Sequence, residues 1–169
     1  MRCAIACEIM TAESESHPRA TVIEIVLSGM AHGRDLDDLA AEIGPMAPER
    51  SLFPGDVLLE LAADVIDESG ATRDRPLDTD QIRRRLLPED RAHTRAQHYK
   101  VEFAIRAAAM IRGGVDPALV DNAGWWQIND LWIWALEAVV VYLRAAAEHA
   151  DVPVADICAG VAARHDITL

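Results

Sequence analysis

Two sets of side chains have the types and spacing for chemistry. Glu60, Asp64 and Asp67 recur at i, i+4 and i+7 within "GDVLLELAADVIDES", so a helix there lines their carboxylates along one face. Oxygen ligands aligned in this way suit Mg²⁺ or another divalent cation and metal-assisted hydrolysis. His98 and Glu102 stand one turn apart in "HTRAQHYKVEFAIR", a spacing that can open a metal site. On that reading the five residues hold the metal, and Arg95 or Arg106 meets an anionic substrate.

Each set also has a plainer reading. The spacing around Glu60 is E-x3-D-x2-D-E, with no paired glutamates and no second helix of E-x-x-D form, so the row serves equally as the solvated face of an amphipathic helix. A di-iron bundle needs two E-x-x-H segments, and the sequence contains none. Arg95, Tyr99, Glu102 and Arg106 fall on one stripe, explained as well by an Arg95–Tyr99 contact and a Glu102–Arg106 ion pair. His93 and His98, five residues apart, are expected on different faces of their helix. There is no G-x-S-x-G for a serine nucleophile, and "IRGGVDP" lacks the lysine of a phosphate loop.

The aromatic residues are few and concentrated. "GWWQINDLWIWAL" holds all four tryptophans, in a chain with two tyrosines and two phenylalanines. From 130 to 149 the polar positions form a narrow stripe of Asp130, Glu137, Arg144 and Glu148. A helix apolar round the rest of its circumference is a central one. Its tryptophans are expected to pack on the alanines of the 92–112 helix, large against small. Trp125 and Trp126, in the turn before it, cannot both point inward, so Trp125, Trp126 and Trp134 join Arg95, Tyr99 and Arg106 as the candidate interface.

The elements that carry these residues read as helices. "TVIEIVLSGM" is rich in β-branched residues but no later segment offers a partner strand, so it is expected to be helical. Asp35 caps a short helix stopped at Gly44-Pro45, residues 55–69 are amphipathic with Gly70 as the stop, and Asp78 caps a helix ending before Pro88. A long helix is expected over 92–112, a short one after Asp116-Pro117, the tryptophan helix over 130–149, and a last one over 154–165. The fold class is therefore all-α, a single-domain array of about seven helices round two long antiparallel helices. Residues 1–18 stand apart as an N-terminal segment of ambiguous pattern, and 19–169 form the domain.

Charge narrows the function. Sixteen basic and 28 acidic residues leave a formal net charge of −12, a field that repels phosphate backbones. "LDDLAAEIG" could open a helix-turn-helix, but prolines follow where the recognition helix should begin, and no nucleic-acid partner is expected. Residues 73–112 hold ten of the basic residues against six acids, so this stretch nets +4 and the rest −16. Three cysteines without metal or redox spacing fit free thiols in a reducing cytoplasm. The N-terminus is too short and broken for a signal peptide, and Glu137 and Arg144 interrupt the longest apolar run, so no membrane span is expected.

These features together predict a non-catalytic, acidic, cytoplasmic interaction or regulatory module without a cofactor, its partner itself as a homodimer or another protein. An acidic inhibitor of a basic protein is one form of this. The alternative is a small metal-dependent hydrolase or small-molecule-binding protein using Glu60, Asp64 and Asp67.

Overall fold

The computed structural model describes residues 4–47, 53–114 and 131–169, with residues 4–17 and 131 by backbone alone. Among the described residues seven α-helices follow in order: α1 (Ala4–Ala31), α2 (Leu36–Ile43), α3 (Gly55–Glu68), α4 (Thr79–Leu86), α5 (Arg95–Arg112), α6 (Leu131–Ala150) and α7 (Val154–Arg164). One 3₁₀ turn, Gly44–Met46, follows α2, and no strand occurs among the described residues. The fold is all-α.

"TVIEIVLSGM" is the second half of α1, whose backbone is helical from Ala4 and continues through Pro18. Val22, Ile23, Val26, Leu27 and Met30 are its buried residues, a set spaced for one helical face, so burial outweighs the modest helix propensity of the β-branched residues. The helix closes with Gly33 at φ 75° and bonds from Arg34 N to Gly29 O at 2.9 Å and Gly33 N to Met30 O at 3.2 Å, the Schellman pattern that favours glycine.

The expected caps are present. Asp35 accepts from Asp38 N at 2.9 Å, and Asp78 accepts from Asp80 N at 2.9 Å and Gln81 N at 3.0 Å. The sequence places the start of α5 near Ala92, whereas the helix begins at Arg95. Thr94 and Gln97 form a reciprocal capping box there, Gln97 N to Thr94 Oγ1 at 3.2 Å and Thr94 N to Gln97 Oε1 at 2.7 Å. Two backbone donors satisfied at once set the boundary.

The centre of the core is the pairing of α3 with α6, the most extensive helix–helix packing among the described elements. Both helices are apolar round most of their circumference. Leu58, Leu61 and Ala62 of α3, and Leu136, Val139, Leu143 and Ala146 of α6, are fully buried, as a central position requires. Around them lie α1, α4, α5 and α7. Ala104, Ala107 and Ala108 of α5 face this core as expected, but Ala109 is exposed. Tyr142 is buried at the heart of α6, and desolvation pushes its phenol up to about 12. Cys158 of α7 is likewise a buried free thiol, pushed up to about 11 by burial.

Trp132 packs on two glycines, its ring over Gly44 and its backbone over Gly55, where absent side chains leave room for an indole. One expectation about the tryptophan helix is corrected: α5 and α6 run in the same sense, not antiparallel. Lys100 near the start of α5 sits over the ring of Trp134 near the start of α6. At the other end Arg112 binds Asp67 and the Ala71 carbonyl, while Arg75 binds the His149 carbonyl, so both C-termini meet the 67–75 turn. Gly55 beside Trp132 gives α3 this direction too.

Candidate functional site

The carboxylate row of α3 is aligned as its spacing predicts, and it is engaged with basic side chains from three other helices or their ends. Arg19 of α1 bridges Asp56 at 2.7 Å and Glu60 at 2.5 Å. His165, just past α7, meets Asp64 at 2.9 Å. Arg112 at the end of α5 meets Asp67 at 2.5 Å, and Arg164 of α7 meets Glu68 at 3.1 Å. Burial disfavours the Arg19 charge, yet Glu60 and Asp56 more than offset it and hold the guanidinium above its ordinary value. Asp56 lies in the first turn of α3, where the helix dipole favours an anion; its second oxygen, Oδ1, is buried without a hydrogen-bond partner among the described residues.

The metal set is not assembled. Glu60, Asp64 and Asp67 turn to Arg19, His165 and Arg112, while His98 and Glu102 lie on α5, and no group of three His, Cys, Asp or Glu side chains suited to a metal occurs among the described residues. A cation at the α3 row would have to displace an arginine or the histidine from each carboxylate. Glu102 is also committed elsewhere. Its expected partner was Arg106 one turn along; instead Arg83 of α4 donates to both its oxygens, one at 3.2 Å from Nη2 and the other from Nε. The packing of α4 against α5 brings the guanidinium fork square to the carboxylate, which a neighbour on the same helix cannot match. These hydrogen bonds hold Glu102 below the usual carboxylate range, with Arg106 a weaker influence.

His93 and His98 meet rather than diverge, their rings edge to face with centroids 6.0 Å apart. His93 precedes the Thr94 cap, so helical spacing does not govern it, and Nε2 lies 2.7 Å from the Pro88 carbonyl oxygen. Glu137 is the carboxylate that sequence reasoning passed over as mere stripe. It is half-buried on α6, and desolvation raises it above the ordinary range against the opposing pull of Arg91. An acid inside an otherwise apolar helix was the available signal.

The outer stripe of α5 is the surface where the remaining predicted residues gather. Arg95, Tyr99, Arg106 and Met110 fall within one narrow arc of the helix, and all four are exposed, Tyr99 by 49% and Met110 by 43%. None of the four makes a hydrogen bond or ion pair among the described residues. On α6, Ile133 is 39% exposed, and Trp134 is half-buried with the Lys100 ammonium 5.1 Å from its ring centroid. Trp125 and Trp126 lie outside the described residues. The stripe of α5 therefore presents two large side chains, Tyr99 and Met110, alternating with two guanidinium groups. No chemistry on a substrate follows from it; it is suited to contact with another macromolecule.

Compared with known proteins, the chain matches no family model, no curated protein and no solved structure. No helix among the described residues is long and apolar enough to cross a membrane.

Proposed function

We propose that this chain is a non-catalytic interaction module that self-associates through the outer stripe of α5, and that it works in the cytoplasm. The observation that carries the reading is the exposure of Tyr99 and Met110, which alternate with Arg95 and Arg106 along one stripe of α5. Tyrosine, methionine and arginine are the types enriched where protein surfaces meet. The carboxylates that would serve the rival hydrolase are paired with basic side chains, which supports an architectural role for them. The free Cys158 thiol, buried and pushed up to about 11, suits a reducing compartment.

Sedimentation equilibrium from low to high micromolar concentration tests the proposal. A concentration-dependent dimer that Tyr99→Ser together with Met110→Ser converts to monomer, with unchanged circular dichroism, is the expected result. A monomer at every concentration overturns it.

A further inference from the structure

The α5 stripe carries a pattern that points to its own second copy as the occupant. Taken along the helix, Arg95 and Met110, Tyr99 and Arg106, and Glu102 and Phe103 are placed symmetrically about the point between residues 102 and 103. Two copies of α5 laid antiparallel about a two-fold axis through that point therefore bring unlike side chains face to face. We propose that the protein dimerises in this register, with the Arg106 guanidinium of each copy over the Tyr99 ring of the other. This inference rests on the self-association proposed above and specifies its geometry.

Three observations support the register. First, Tyr99 and Arg106 are both exposed, with no side-chain hydrogen bond or ion pair among the described residues, so a cation–π contact between copies breaks no such bond within either one. Second, charge complementarity holds at the centre. Arg106 of the second copy, opposite Tyr99, lies one turn from Glu102, whose side chain is 39% exposed. Third, the acidic surface around the start of α2 discourages a second copy. Asp35, Asp37 and Asp38 are exposed around the start of α2, and two chains of net charge −12 that met there would repel. The stretch 73–112 is where the chain is net positive, and Arg83, Arg85 and Arg112 within it are already matched to carboxylates. An isologous contact through α5 keeps the acidic ends apart. Each patch then meets its own copy, as two-fold symmetry demands, and a shallow helix crossing lets the contact run from Arg95 to Met110.

Thiol cross-linking reads the register directly. In a chain with Cys3→Ser and Cys7→Ser, Tyr99→Cys and Arg106→Cys are made separately. Facing positions on packed helices come within disulfide reach, whereas either position and its own symmetry mate are about 10 Å apart along the axis. The expected result is that an equal mixture of the two variants gives a covalent dimer under mild oxidation, while each variant alone gives at least about tenfold less. In the parent chain, Arg106→Ala should raise the dimer dissociation constant about tenfold, the effect of losing a central contact. If sedimentation shows a dimer but the mixture cross-links no better than the single variants, this register is overturned and self-association stands. If the parent chain is a monomer at all concentrations, the proposed function itself fails and this inference with it.

Discussion

The polar face of α3 and the outer stripe of α5 are built from the same material, charged residues repeated at helical spacing, yet they end in opposite states. On α3 the carboxylates Asp56, Glu60, Asp64, Asp67 and Glu68 meet basic side chains brought from α1, α5 and the end of α7. On α5, Arg95, Tyr99, Arg106 and Met110 face solvent with no bond among the described residues. A central helix has neighbours on every side, so even its polar edge is reached by long side chains from the next layer. A helix of the outer layer has one side that only another molecule can reach. Position in the layering, more than composition, separates an architectural stripe from an available one.

The comparison can be broken most forcefully at the core. Leu61→Ala on fully buried α3 should cost about 2–5 kcal/mol in denaturant unfolding; a cost below about 1 kcal/mol would remove α3 from the centre. Gly160→Ala comes next. An added Cβ would collide with the Glu68 side chain where α7 crosses α3 and push its flexible end off Arg164, partly offset by the better helix propensity of alanine, so a loss of no more than about 1 kcal/mol is expected from thermal melts. Arg19→Ala, which strands both Asp56 and Glu60, should cost about 1 kcal/mol, since the three side chains are partly solvated. Adding salt should shrink that difference.

Acid titration sharpens the contrast between engaged and unengaged charge. Hydrogen bonding from Arg83 depresses Glu102 and hydrogen bonding from Arg85 depresses Glu148. A carboxyl depressed in the folded state contributes stability above its unfolded value, about pH 4 to 4.5, and loses it as pH falls through the folded value. Glu137 is raised by desolvation, so its ionisation works against folding, and stability falls as pH rises through that range. Glu102→Gln should therefore lower the melting temperature at about pH 7 and Glu137→Gln should raise it, with both differences shrinking towards about pH 3. Equal signs at neutral pH would refute the assignment. The smallest effect on stability belongs to the open stripe. Tyr99→Ser with Met110→Ser should shift stability by no more than about 0.5 kcal/mol, because neither side chain is part of the core.

The sequence made the helices and several of their ends legible for local reasons. Asp35, Asp78 and Gly70 act on residues a few positions away, and the apolar circumference of α6 is visible in its own twenty residues. What it hid was long-range. Arg19 finds Glu60 across 41 residues and His165 finds Asp64 across 101, and no spacing rule announces either pair. Glu102 illustrates the cost, because a plausible partner one turn away, Arg106, concealed the better one on α4. The direction of α6 against α5 was equally hidden, since helical periodicity carries no sign. The exposed residues Arg95, Tyr99 and Arg106 were found because they share a stripe, although their openness to solvent became visible only in three dimensions.

The common sense of α3, α5 and α6 has an electrical consequence. Peptide dipoles that cancel between antiparallel neighbours add here, so each of the three helices places about half a negative elementary charge at the same end of the molecule. That end is the 67–75 turn, and two arginines stand at it as counter-charges. Arg112 donates to the Ala71 carbonyl and Arg75 to the His149 carbonyl. They act as the positive terminal of a stack wired in one direction, and the opposite pole, where the three amino ends gather, lies beside Trp132 and Trp134.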